Sequence, residues 1–388
     1  MIKSQRIRIY PNSHMVAVIE DLFNYSRYCY NQGLEAWNSQ YDASVVLEDK
    51  CLRPNNSSVR NELVTNKADW QYLRSSRVLQ QAIVNLAKAW KNYFNPNMLE
   101  AKRPRFKSKK YSIPSFTTDR AKVDKGKLFL DKPKELVTSW YGIKLAEPIR
   151  FKGIIKLVTI TKNAKGYFAG VCIATEDNVL AIPTENKVGV DANVKRFNYG
   201  DCQQVNIYPK SLDLYYKRIA HYQKVIARKR LEHPTSFRSN NYVVVRTKLQ
   251  RDYLKVSQVQ GDILHKFTSK LTKTYAEIHI EDLDVKHMQM SSKMGKNLHR
   301  SLFGRLREQL TYKCGWYGNK LVIVPRLYPS TQLCSECGFR KTSDGYGGKQ
   351  TLSGDSIHHE HQTYYCYNCG AILDRDENAV SNIKNYEP

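Results

Sequence analysis

Two Cys-x-x-Cys pairs near the end of the chain, Cys334-Ser335-Glu336-Cys337 and Cys366-Tyr367-Asn368-Cys369, constrain the fold more than any other feature. Each is followed by a glycine, Gly338 and Gly370, and glycine at that place permits the tight turn that aims two sulfurs at one ion. Four thiolates suit one tetrahedral structural zinc ion, so the chain must close over the 28 residues between the pairs. That interval exceeds the roughly 15–20 residues of the commonest ribbon spacing, and the intervening stretch is expected to include a loop. His358, His359 and His361 lie in it as alternative ligands, although four cysteines already complete a closed site. A redox pair is the lesser reading, because no strand-to-helix redox context surrounds either motif. The remaining cysteines, Cys29, Cys51, Cys172, Cys202 and Cys314, are scattered, which fits a metal site in a reducing compartment better than a disulfide framework.

Charge narrows the partner. In 388 residues, 62 Lys and Arg face 36 Asp and Glu, and the resulting +26 far exceeds what solubility requires. The excess is spread over many segments, which predicts a folded basic surface and nucleic acid as the polyanion it meets. A hydrophobic fraction of 41% excludes a disordered chain. No apolar run approaches the roughly 20 residues of a membrane span. Met1 to Tyr10 is charged and lacks the apolar stretch of a secretory signal, so a cytoplasmic protein without a membrane partner is expected.

The order of elements predicts an α+β multidomain chain. "SQRIRIYP" alternates like a strand, and Met15, Val18, Ile19, Leu22 and Phe23 recur at helical spacing, with the stripe ending at Gly33 and a loop beyond Trp37. A second helix between Tyr72 and Phe94 carries Leu79, Ile83, Leu86, Ala87, Trp90 and Phe94 on one face; its other face holds Arg74, Arg77, Gln80, Gln81 and Lys88. Most such faces are merely solvated, but Gln pairs bidentately with adenine, so this one is also a candidate DNA reader. "AKRPRFKSKK" follows, a candidate phosphate-contacting loop, and then alternating β-rich segments. Residues 1–185 therefore read as a β-barrel module with a helical insertion at about 12–100. From residue 186 the succession is strand, strand, strand, helix, strand, helix, strand, helix, the order of a ribonuclease-H-like α/β domain. That domain would span 186–330 and 371–388, with a zinc ribbon inserted at 331–370.

Three carboxylates hold similar places in these elements. Asp191 follows the strand start Val188-Gly189-Val190, Glu281 ends the strand Ile278-His279-Ile280, and Asp376 sits at the start of a helix striped by Ala379, Val380 and Ile383. Singly, each reads as an ordinary turn or cap residue, and Asp374 beside Asp376 is itself a candidate cap. Gathered in one pocket they would repel one another unless cations neutralised them, as two Mg²⁺ ions about 4 Å apart would do in phosphodiester hydrolysis.

At this point the chain resembles a known family. "VGVDANVKRF", "IEDLDVKHM", "YPSTQLCSECG", "YYCYNCG" and "LDRDENAVSNI", with "RIRIYPN", "SRYCYNQGLEAW", "VLQQAIVNLAKAWKNYF" and "RPRFKSKK" upstream, are similar to the TnpB nucleases, relatives of type V CRISPR effectors. The resemblance implies a protein of the prokaryotic cytosol, expected as a monomer. It would carry a guide RNA from the transposon's end, recognise a short motif beside its double-stranded target, and cut DNA with a RuvC-type site. Under it, Asp191, Glu281 and Asp376 are catalytic and hold two Mg²⁺; Cys334, Cys337, Cys366 and Cys369 hold zinc; Arg77, Gln80 and Gln81 match the flanking-motif reader. Where the family usually has an apolar residue and glycine after the first aspartate, this chain has Ala192 and Asn193, and Asn tolerates a left-handed turn. Two rivals stand beside this reading: a guided repressor that does not cut, which would be expected to lack a carboxylate, and a guide-independent transposition nuclease.

Overall fold

The structure, a computed structural model, describes residues 1–96, 98, 101–131, 142–176, 185–232, 239–283, 302–345, 347–352, 354–355, 357 and 360–388. The chain forms two compact units, Met1–Asp177 and Asn178–Pro388.

In the first unit β1 (Ile2–Tyr10) alternates buried Gln5, Ile7 and Ile9 with exposed neighbours, as a strand with one face in the core must. Four helices separate it from the rest of its sheet: α1 (Ser13–Val46), α2 (Asn56–Thr65), the single turn α3 (Asp69–Tyr72) and α4 (Ser76–Phe94). The sheet then continues with β2 (Ser115–Thr118), β3 (Lys122–Asp124), β4 (Lys127–Phe129), β5 (Ile143–Leu145), β6 (Ile154–Asn163) and β7 (Gly166–Ala174). Its order is β2-β6-β7-β1-β5-β4-β3, all antiparallel, so the first strand pairs with the last. Among the described residues no ladder joins the edge strands β2 and β3.

Helix α1 departs from the sequence reading: it neither stops at Gly33 nor gives way to a loop after Trp37. Gly33 is a packing residue, because a Cβ there would meet Ile83 Cδ1 of α4 at 2.3 Å. The helix continues because Leu34, Ala36 and Trp37 stay buried, with the Trp37 ring stacked 5.9 Å from that of Trp90. The glycine thus marks where two helices touch, a role its letter shares with a helix stop.

The second unit has a five-stranded sheet, β8 (Lys187–Ala192), β9 (Arg196–Tyr199), β10 (Gln203–Asn206), β11 (Glu277–Glu281) and β12 (Lys320–Val324), in the order β10-β9-β8-β11-β12. The first three strands are antiparallel; β11 runs parallel to β8, and β12 to β11. Helices α5 (Asp213–Glu232) and α6 (Asn240–Thr274) form the crossover from β10 to β11, and α7 (Phe303–Tyr317) precedes β12. Residues 284–301, whose letters read as a basic Met-rich loop and then a helix from Leu298, lie outside the described residues.

Strand parity sorts the sheet into two faces. Val188, Val190, Phe197, Tyr199, Ile278 and Ile280 join Leu264, Phe267, Leu271, Leu306 and Leu310 of α6 and α7 in one core. The alternate residues face α8 (Arg375–Lys384), which crosses β8 so closely that a Cβ on Gly189 would meet Val380 O at 2.3 Å and Lys384 N at 2.7 Å. Between β12 and α8 lies the cysteine-bearing segment. Its hairpin, β13 (Thr363–Tyr365) with β14 (Ile372–Asp374), runs straight into α8, so the return strand of the ribbon lies beyond residue 370.

Candidate functional site

Pairing register places the acidic residues. Val190 is level with Ile280 on β11, which puts Glu281 beside Asp191; Asp191 is opposite Asn198 on β9, and Asn198 is opposite Gln204 on β10. Glu281, Asp191, Asn198 and Gln204 therefore form one polar row across four adjacent strands, on the face that α8 covers in part. Asp376 reaches it from the first turn of α8.

The letters of "LDRDEN" leave two candidates, and the geometry separates them. Asp374 is the N-cap of α8: its Oδ1 accepts from the backbone N–H of Asp376 at 2.8 Å and of Glu377 at 3.0 Å. Asp376 is buried, and its Oδ2 accepts from Arg196 Nη2 at 2.7 Å and Asn198 Nδ2 at 3.0 Å. Glu281 accepts from Ser330 Oγ at 2.6 Å, while burial raises its pKa. Asp191 accepts from Asn193 Nδ2 at 3.0 Å. Its pKa is pushed up to about 7 by burial first, then by the charges of Glu281 and Asp376. Asp191 therefore lies within electrostatic reach of both other carboxylates, as an acidic cation site requires. The thiols described below are the one close metal-ligating group found among the described residues. Asn193 is not in a left-handed turn: its backbone N–H donates to Arg196 O at 3.0 Å, and its side chain serves Asp191.

The four cysteines meet. Cys334 and Cys369 sulfurs are 3.7 Å apart, those of Cys337 and Cys366 3.6 Å, and all four lie within 4.8 Å of one another. A tetrahedron with Zn–S bonds of about 2.3 Å has edges of about 3.8 Å, so the group can hold a zinc ion. Both knuckles turn alike: Gly338 (φ 73°) and Gly370 (φ 74°) each donate a backbone N–H to the carbonyl of the first cysteine of their pair, at 2.9 Å. The backbone N–H of Phe339 favours the Cys337 thiolate, whereas burial holds Cys334 towards the thiol until a metal takes it. Beneath them the buried Lys341 ammonium donates to Thr351 O at 3.0 Å and lies 4.0 Å from the Tyr364 ring centroid. Of the histidines, His361 contacts Arg375 Nη1 at 3.1 Å, and His358 and His359 lie outside the described residues.

Sequence reading missed the residues that tie these centres together. Asn378 Oδ1 accepts from Ser335 N–H at 2.8 Å and its Nδ2 donates to Leu333 O at 2.7 Å; one turn on, Asn382 Nδ2 donates to Ser330 O and Leu333 O, each at 2.8 Å. Thus α8 staples the segment that enters the first knuckle, and Ser330 in that segment holds Glu281. Their signal was available: two asparagines four apart, inside an apolar stripe, are polar groups facing inward. Arg196 and Asn198, by contrast, had no signal before pairing was known.

The proposed reader lies in the first unit. Ser75 caps α4, Arg77 Nη1 donates to Gln80 Oε1 at 3.0 Å and lies 3.7 Å from Asp119 Oδ2, and Arg77 and Gln80 are half-buried. Gln81 is buried and not on a solvated face. The basic loop is fastened to α1: Asn31 Oδ1 accepts from Lys107 N–H at 2.8 Å and its Nδ2 donates to Lys107 O at 3.0 Å, leaving Phe106 and Tyr111 exposed.

Three family models match, described as "Helix-turn-helix domain" over residues 1–44, "Probable transposase" over 171–292 and "Cas12f1-like, TNB domain" over 303–383. The first falls on β1 and most of α1, a strand and one uninterrupted helix. A "Putative RNA-guided DNA endonuclease" of Streptomyces pristinaespiralis is 28% identical over 386 residues, which cover 97% of this chain and 87% of that protein. InsQ of Escherichia coli, with the same description, is 29% identical over 296 residues, covering 70% and 68%. Among solved structures, the cryo-EM structure of the Cas12f1-sgRNA-target DNA complex matches with a TM-score of 0.56 at 14% identity, over 96% of this chain and 83% of that one, and shares its fold.

Proposed function

Because the chain belongs to the TnpB family, we propose that it is an RNA-guided DNA endonuclease that cleaves phosphodiesters at a RuvC-type site formed by Asp191, Glu281 and Asp376. One observation carries the reading: strand register sets Asp191 beside Glu281, and Asp376 reaches the same polar row from the first turn of α8, bound to Asn198, the residue opposite Asp191. A repressor that no longer cuts has no reason to keep all three carboxylates.

The carboxylates would hold two Mg²⁺ ions, which when bound supply Lewis-acid stabilisation of the phosphoryl oxygens and an activated water. The protein's part is orientation. Arg196 and Asn198 fix Oδ2 of Asp376 while Arg375 approaches its Oδ1 at 3.4 Å, Ser330 fixes one oxygen of Glu281, and Asn193 fixes one of Asp191, so each carboxylate is oriented by a neighbour. The partners are a guide RNA and a double-stranded target with a flanking motif; the +26 charge supports a channel that grips a heteroduplex by its backbone. Reading of that motif is assigned to α4 through Arg77 and Gln80, with Gln81 supporting them from the core.

The test is cleavage by the purified chain with its copurified RNA. A duplex matching that RNA should be cut only with Mg²⁺, and Asp191→Ala or Glu281→Ala should abolish the cut, a loss of roughly 10³-fold or more. Equal inertness of wild type and variants on every matched target defeats the assignment.

A further inference from the structure

The polar row does not stop at the carboxylates. Beyond Asp191 it runs through Asn198 to Gln204 on the edge strand β10, about 10 Å over two strand spacings. Over this end of the sheet lies a cavity of about 190 Å³ whose wall includes Arg196, Asn198, Cys202, Gln204, Asp376 and Glu377. Its volume is that of about six waters, which one nucleobase fills. One wall is the guanidinium and amides of β9 and β10; the other is carboxylate, from the start of α8. A phosphate is repelled by the second wall. A base is not: carboxamides offer paired donor and acceptor groups to a base edge, and a carboxylate accepts from an exocyclic amino group.

We propose that this cavity is a nucleotide subsite: it receives the base next to the scissile phosphate of the DNA strand being cut, and it favours bases with an exocyclic amino group over thymine. The inference rests on the nuclease reading and adds a specificity-determining surface to it. Arg196, bound to Asp376 Oδ2 through Nη2 and half-exposed, has further N–H groups to offer the adjoining phosphate. Gln204, exposed and directly across from Asn198, reads the base. Asp376 then belongs to both sites, so a base seated in the cavity sets the register of the strand over the carboxylates.

Cys202 supplies a native reporter, because it lines this cavity and is exposed; Cys51, exposed in the other compact unit, is the reference. The full chain with its guide RNA is treated with iodoacetamide, with and without short single-stranded deoxyoligonucleotides of dA, dC or dT at concentrations where anisotropy shows them bound, and alkylation is read by peptide mass. Bound dA and dC should slow alkylation of Cys202 and leave Cys51 unchanged, dT should protect less, and Gln204→Ala should need roughly tenfold more oligonucleotide. Cleavage of matched targets that vary only at the nucleotide beside the cut should show the same preference, flattened in Gln204→Ala. Unprotected Cys202, or equal protection by dT and dA that Gln204→Ala leaves unaltered, overturns the subsite. A chain that cuts while Cys202 stays unprotected loses the subsite and keeps the nuclease; one with the predicted protection that cuts no matched target keeps the subsite and loses the nuclease.

Discussion

Asp191 concentrates the electrostatic cost of the site. Its carboxyl rises from 3.8 to about 7 on folding. Between those values the folded chain binds more protons than the unfolded one, so this group makes stability fall as pH rises through that window. Asp191→Asn should remove that component: in metal-free buffer its melting temperature should exceed that of wild type at pH 8 and not at pH 4, with a difference of about 1–3 kcal/mol after allowing for partial exposure. Mg²⁺ should raise the melting temperature of wild type at pH 8 far more than at pH 5. A pH-independent difference between the two proteins would show that the charges do not interact. Asn378 is the second decisive residue, since both its amide groups serve backbone at the ribbon's entrance. Asn378→Ala strands the backbone N–H of Ser335, leaves Leu333 O to Asn382 alone, and should cost about 1–3 kcal/mol by denaturant unfolding. Of this residue-level detail, the acidic trio and the preference for Asp376 over Asp374 were legible through the resemblance of "LDRDENAVSNI"; the cap bonds of Asp374 and the grip of Arg196 on Asp376 were not, because they depend on where each side chain turns.

Among elements, the contact of α8 with β8 does most to assemble the site, and Gly189 permits it. The atoms a Cβ would strike are backbone, which cannot swing aside as a side chain can. Gly189→Ala should therefore push α8 off the sheet, lower stability by about 1–3 kcal/mol and depress cleavage more than stability, because Asp376 rides on that helix. Cleavage at the wild-type rate in a folded Gly189→Ala would show that α8 need not sit so close. A zinc ion held by the two cysteine knuckles would act through the same helix. Removing the metal with a strong chelator, or Cys366→Ser, should lower the melting temperature together with the zinc content measured by mass spectrometry. An unchanged melt with zinc gone would make the ribbon independent of the rest. Helix α1 shows where element-level reading failed: Gly33 punctuates a sequence as a stop does, and only the presence of Ile83 and Leu86 of α4 shows that the gap is filled.

For the molecule as a whole, net charge is the property with a direct readout. Binding of RNA and DNA should weaken steeply with salt, as a linear fall of log K against log salt whose slope counts phosphate contacts, and a flat response would exclude a long cationic channel. Among the described residues no helix is long and apolar enough to cross a membrane. What the sequence determined alone is what depends on short spacings and on sums: a cluster of four cysteines, two glycine turns, a basic chain, and strands and helices in their order. A cysteine pair two residues apart carries its geometry with it. Tertiary structure decided the rest. A slip of one residue in the pairing of β8 with β9 would send Asn198 to the core face and leave Asp376 without two of its donors. The meeting of Asp191 with Glu281, the grip of Arg196 and Asn198 on Asp376, and the cavity beside them follow from register and from one close helix crossing, and no spacing along the chain encodes either.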